Sequence, residues 1–213
     1  MKLSDLQHLQ PRRVLDIGAN ISLWAQEAKS VWPDAEIFCI EGNTACEPHL
    51  IASGFPYRIA LLGDSVRTVQ FHKAAYSPTA TGNSYKKENT PYFNGCEVEE
   101  RELVPIGLIF DSTDTFDLCK LDCQGAELDI IRGGIDLFKR ATAIIMEVAV
   151  SNYNEGAPQW QECIDFMASI GFDKTLILSD ITSPIDGSLI QHDVLFTKSS
   201  YEQINHQLHS GRS

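Results

Sequence analysis

A chain of 213 residues, 43% hydrophobic and 22% charged, can bury a two-sided core in one globular unit without a second one. With 29 acidic against 17 basic side chains, the formal net charge is −12, which opposes binding to nucleic acid, where lysine and arginine supply the affinity. No stretch approaches the roughly 20 apolar residues of a membrane span, and residues 1–10 hold no apolar run of signal-peptide length, so the expectation is a cytoplasmic protein with no membrane and no nucleic-acid partner.

From the amino end, Val14-Leu15-Asp16-Ile17 reads as a buried strand that breaks at Gly18-Ala19-Asn20. Such a strand delivers Asp16 to its carboxyl end, where open parallel sheets bind ligands, and Gly18 lets the turn approach a ligand with no Cβ in the way. Ile21, Trp24, Ala25, Ala28, Val31 and Trp32 recur at helical spacing until Pro33-Asp34. A second strand, Ala35 to Ile40, ends in Glu41, whose carboxylate suits the two hydroxyls of a ribose. The unit is β-α-β with a right-handed crossover. Sites for a pyrophosphate write Gly-x-Gly-x-x-Gly at this turn. Here Gly18-Ala19-Asn20-Ile21-Ser22 has one glycine, which suits an adenosine cofactor without phosphates, such as S-adenosylmethionine, better than a nicotinamide dinucleotide. An ordinary ligand-free turn is the plain alternative at this stage.

Thr44 to Ser53 reads as a helix ended by Gly54, and Tyr57 to Leu62 as a third strand leading to Gly63-Asp64. Asp64 is placed either to meet an adenine amino group or simply to form the turn. The polar stretch Ala75 to Glu102 interrupts the rhythm, as a lid or substrate loop does, or as a solvated hairpin does. Leu118 begins a strand that breaks at Gly125 into a helix. Thr142 to Val150 is apolar apart from Glu147, as a strand covered on both faces would be. Trp160, Cys163, Ile164, Met167 and Ile170 form a helical face ahead of Gly171, and strands Phe172 to Leu178 and Leu189 to Thr197 close the unit. Residues 1–198 are expected to make one domain and 199–213 a polar tail. Cys39, Cys46, Cys96, Cys119, Cys123 and Cys163 have neither disulfide nor zinc spacing and read as reduced thiols.

Asp16-Ile17-Gly18-Ala19-Asn20, Glu41, and Lys120-Leu121-Asp122-Cys123-Gln124-Gly125-Ala126-Glu127 leading to Gly133-Gly134 together resemble the FkbM-type family of S-adenosylmethionine-dependent methyltransferases. The resemblance runs from about Val14 to Thr197. It implies an α/β fold: a doubly wound, mostly parallel seven-stranded sheet of the Rossmann-like class I methyltransferase kind, with the last strand antiparallel. It also implies S-adenosylmethionine as cofactor, held by Asp16, Gly18, Asn20 and Glu41, with Asp64 a further candidate. Ser22 stands where the family usually has the second loop glycine, and Gly42 where proline is usual. Ser22 can cap the next helix or crowd the donor's carboxypropyl group.

Methyl transfer to a hydroxyl needs alignment of donor and acceptor and is helped by a base. Asp122, at the carboxyl end of its strand, is the first candidate to orient or activate the acceptor. Glu127 falls in a first helical turn, where the dipole stabilises a carboxylate, and a catalytic role is the alternative. Glu147 belongs either to the site or to a buried ion pair with lysine or arginine. His192 titrates near neutrality and is a candidate base, or a structural strand residue. Asp122, Glu127 and Glu147 would suit Mg²⁺, but the resemblance requires no metal and none is assigned. The expected function is O-methylation of a small molecule or sugar; a nicotinamide-dependent oxidoreductase and a catalytically silent binding protein of the same fold are the alternatives.

Overall fold

The computed structural model describes residues 1–199. From the amino end, β1 (Arg13–Ile17) leads through α1 (Leu23–Val31) to β2 (Glu36–Glu41), and α2 (Glu47–Ser53) leads to β3 (Tyr57–Ile59). Three strands then leave this rhythm: β4 (Leu62–Gly63), β5 (Arg67–Lys73) and β6 (Glu97–Pro105). Alternation resumes with β7 (Leu118–Leu121), α3 (Glu127–Arg132), α4 (Ile135–Arg140), β8 (Ala143–Ala149), α5 (Trp160–Ser169), β9 (Lys174–Thr182) and β10 (Leu189–Thr197).

The main sheet has seven strands in the order β3-β2-β1-β7-β8-β10-β9. Parallel pairing joins Val14 to Ile37 and to Leu118, and Leu118 to Ala143. Only β10 runs against its neighbours, β8 and β9. This is the sheet expected, with the chain's last strand as its antiparallel member.

Period-two alternation sends successive residues to opposite faces. Val14, Leu118 and Ala143 pack with Ala25, Ala28 and Trp32 on one face. Leu15, Cys119 and Ile144 pack with Leu128, Phe138 and Met167 on the other. With helices on both sides, a strand gains by being apolar throughout, and every residue of β8 is buried, Glu147 included. All six cysteines are free. Among the described residues, no helix is long and apolar enough to cross a membrane.

The polar stretch from Ala75 to Glu102 is not all loop. Its last part enters β6, which pairs antiparallel with β5, Lys73 opposite Glu97 through Arg67 opposite Leu103, and parallel with β4. One-sided burial explains why this sheet is hard to read: Phe71 and Leu103 turn inward to Leu61, with Val69 packed beside them, while most of the other residues are charged or polar. The third strand read as Tyr57 to Leu62 divides accordingly, β3 staying in the main sheet and β4 joining the small one. Gly133 lets α3 close on this sheet, since a Cβ there would lie 2.1 Å from the Gly63 carbonyl oxygen.

Residues 74–96, between β5 and β6, form a strap across the carboxyl ends of the parallel strands. Asn20 and Asn43 donate side-chain amides to the carbonyls of Thr79 (3.1 Å) and Pro78 (2.7 Å), and Asn154 donates to that of Lys86 (3.0 Å). Ser199 is tied down, its amide donating to Asp173 Oδ1 at 2.8 Å. The rest of the expected tail lies outside the described residues.

Candidate active site

Two loops meet at the top of the sheet, one after β1 and one after β7. The amides of Gly18 and Ala19 donate to the Ile40 carbonyl (2.9 and 3.1 Å), folding the first loop over β2. Gly18 has φ +78°, and a Cβ there would sit 1.9 Å from the Asp122 carbonyl oxygen. The second loop therefore closes this position to a side chain before any ligand is considered.

Glu41 connects the loops after β1 and β2. Its Oε2 accepts from the Asn20 amide and its Oε1 from the Asn43 amide, both at 2.7 Å. Each oxygen keeps a lone pair for a ligand hydroxyl. Burial pushes its proton affinity above the usual carboxylate range, and the two amides oppose that shift.

Asp16 is wholly buried and neither of its oxygens accepts a hydrogen bond. Its nearest cation, Lys120 Nζ, is 3.7 Å away, and burial pushes its pKa up to about 6. It lies beneath the loop rather than in the cleft lining. Lys120 Nζ also reaches Asp122 Oδ2 at 3.1 Å and stands 5.8 Å from the Trp24 ring. Burial lowers this lysine's proton affinity, but the flanking aspartates more than restore it, so the ammonium stays charged.

The cleft between these loops, about 620 Å³ including its open mouth, has an apolar wall of Leu61, Phe71 and Ile130 facing Glu41, Asn20 and Asp122. The strap supplies Ser84 and Tyr85 as a roof; Ser84 Oγ donates to the Cys123 carbonyl at 3.2 Å.

Asp122 is 39% exposed at its side chain. Its Oδ1 accepts from Gln124 Nε2 at 3.1 Å, and the same amide reaches Glu147 Oε2 at 2.8 Å. Gln191 Nε2 donates to that oxygen too, at 2.8 Å. Glu147 thus sits in a cage of amides, not in an ion pair with lysine or arginine, and burial raises its proton affinity well above the ordinary range. Glu147, Gln124 and Gln191 line a second cleft beside the first, and Thr81 of the strap borders both. The two glutamines were missed in the sequence. Gln124 stands inside the Asp122 to Glu127 motif, whereas nothing local marks Gln191.

Glu127 Oε1 accepts from the amides of Cys123 (2.8 Å) and Gly125 (3.2 Å), so it holds the second loop in shape. Among the described residues no group of three or more His, Cys, Asp or Glu is arranged to hold a metal. Asp64 is outside the cleft, paired with Arg67 in the turn before β5. His192 is outside both clefts, with Nδ1 2.8 Å from Asp180 Oδ1 but unaligned for a hydrogen bond, and with its ring edge-on to Trp160. Ser22 does not cap α1. It has φ 65°, its hydroxyl donates to the Ile21 carbonyl at 2.6 Å, and it accepts from Gln26.

These residues fit an S-adenosyl donor: a buried carboxylate with free lone pairs suits a ribose, and an apolar wall suits a purine. The sheet and its loops define the class of S-adenosylmethionine-dependent methyltransferases. Residues 16–174 match the model of the methyltransferase FkbM domain, and the chain belongs to that family, whose cofactor is S-adenosylmethionine.

A solved structure at TM-score 0.50 agrees in fold. A precorrin-6y C5,15-methyltransferase from Geobacter metallireducens is similar at 14% identity and TM-score 0.50, over 92% of this chain and 87% of that one. The N-terminal domain of EvdMO1 with S-adenosylhomocysteine bound is similar at 11% identity and TM-score 0.49, over 93% of this chain and 82% of that one. No curated protein matches the sequence.

Proposed function

We propose that this protein transfers a methyl group from S-adenosylmethionine to a hydroxyl of a small molecule or sugar, acting as one domain over residues 1–198 in the cytoplasm. The carrying observation is the Gln124 amide, which joins Asp122 of the donor cleft to Glu147 of the second cleft. A hydroxyl seated between the two would have a carboxylate within reach on either side.

The bound donor supplies an electrophilic methyl on a sulfonium. Glu41, Asn20 and Gly18 shape its ribose end, and Asp16 acts from beneath by holding Lys120. With a donor held there, a lone pair of the acceptor oxygen would form the new C–O bond as the C–S bond breaks and its bonding pair goes to sulfur. The hydroxyl proton goes to Asp122 or Glu147. Glu147 has the stronger case as base, because its raised proton affinity and amide cage hold Oε2 still while Oε1 has no internal donor. Asp122 orients, because Lys120 and Gln124 already occupy its oxygens. Asp64 and His192 have no part in this reading. The charge of −12 and the absence of lysine or arginine from the described lining of the second cleft favour a small acceptor over nucleic acid.

Calorimetric titration of S-adenosylmethionine, with Glu41→Ala as control, tests the donor site. An acceptor screen with Glu147→Gln and Asp122→Asn then tests the roles. Turnover lowered about a hundredfold or more in Glu147→Gln, with donor affinity unchanged, is the expected result. Donor binding without turnover of any acceptor would instead favour a silent binding protein.

A further inference from the structure

The lining of the second cleft narrows the chemistry of its occupant. Tyr76, Tyr92 and Tyr153 share it with Glu88 and Glu147. The rings of Tyr76 and Tyr92 meet edge to face, with centroids 6.2 Å apart. Glu88 is only 5% exposed and accepts from the hydroxyls of Thr90 and Tyr153. Glu147, 8% exposed, accepts from two amides. Every one of these donors is neutral, so each acid is fixed in place without a compensating charge from them. Among the described residues no lysine or arginine lines the cleft or forms an ion pair with either acid, and Lys120 acts on Glu147 only from a distance. Buried carboxylates in that condition are costly and attract a cation, tyrosine faces do the same, and the net charge of −12 adds a field of matching sign.

We propose that the second cleft binds an acceptor with a protonated amine beside the hydroxyl to be methylated, an amino sugar, with Glu88 as the ammonium's counterion. The inference rests on the methyltransferase reading of the same site. A neutral sugar would satisfy the tyrosine hydroxyls and rings but leave Glu88 uncompensated. A carboxylate or phosphate would face the like charge of Glu88 and make Glu147 still harder to ionise. An ammonium on Glu88 also makes Glu147 easier to ionise, so the acceptor would help prepare its own base.

S-adenosylhomocysteine is titrated first into the full-length protein, and its failure to bind would count against the methyltransferase reading itself. Glucosamine, glucose and glucuronate are then titrated into the loaded protein, one ring carrying a positive, neutral or negative substituent. Glucosamine should bind at least about tenfold tighter than glucose, with glucuronate weakest. Glu88→Gln should bring glucosamine to the level of glucose while S-adenosylhomocysteine still binds. Tyr92→Leu, at a half-exposed ring, should weaken glucosamine alone by roughly threefold or more. Glucose binding as tightly as glucosamine, a preference that survives Glu88→Gln, or no binding of any of the three to the loaded protein would each overturn the assignment.

Discussion

Asp16 shows how one side chain can cost stability where the ligand needs charge. Its pKa rises from an unfolded value of 3.8 to about 6 because burial disfavours the carboxylate more than Lys120 favours it. For a raised acid the sign is fixed. Below the unfolded value both states hold the proton and there is no cost; the cost grows as pH climbs from 3.8 toward 6 and is complete above. Asp16→Asn should match the parent near about pH 4 and exceed it at about pH 8 by on the order of 2 kcal/mol in urea unfolding. An offset equal at both pH values would refute this origin. Gly18 is the reverse case, where any side chain costs. Gly18→Ala drives a Cβ to 1.9 Å from the Asp122 carbonyl at φ +78°, and we expect a loss above about 3 kcal/mol, read as a lower Tm or an insoluble product. Glu41→Ala removes the acceptor of two loop amides along with the proposed ribose contact, so donor Kd should rise about a hundredfold or more. Asp16, Gly18, Glu41 and Asp122 were legible because each lies at a strand end marked by its own neighbours. Glu147 was legible as an anomaly in an apolar strand, but its partners were not, since Gln191 reaches it only through the pairing of β10 with β8.

The strap is the element on which access to the donor cleft depends. It has little core of its own, Ala74, Ala80 and Phe93 forming a small cluster, and it is held by side-chain amides from the loops it covers and by a few isolated backbone bridges such as Ser84 with His72. Segments so held open at low free-energy cost. Exchange of backbone amides at 77–86 should slow when S-adenosylhomocysteine binds. In Asn43→Ala, which loses the 2.7 Å bond to the Pro78 carbonyl, exchange there should quicken by about tenfold while β8 stays protected. Equal quickening in β8 would mean global destabilisation instead. The sequence marked this segment as a long interruption, but β5 and β6 went unread because their polar faces hide a two-residue apolar contact, Phe71 with Leu103.

At the scale of the molecule, a net charge of −12 acts on anything that approaches. The donor carries one net positive charge and its product, S-adenosylhomocysteine, none. Donor affinity should fall several-fold between about 50 and about 500 mM salt, with product affinity nearly constant, because screening removes only the attraction to net charge. Parallel titrations check this, and equal salt slopes for the two would refute it.

The alternating strands and helices of the main sheet, the loops after β1 and β7 and the acid that ends β2 were legible in the sequence alone, because period and turn chemistry act between near neighbours. Tertiary structure alone decided which acids are compensated and by what. Lys120 bonds Asp122 and only partly offsets the burial of Asp16, 3.7 Å away, because β1 and β7 pair with Asp16 opposite Lys120. Glu147 receives the Gln191 amide because β10 inserts beside β8, and the Gln124 amide because the loop after β7 closes over the end of β8. Asp64 and His192, plausible in one dimension, point to partners outside the clefts. Contacts of that kind depend on register between strands far apart in the chain, and no local pattern carries it.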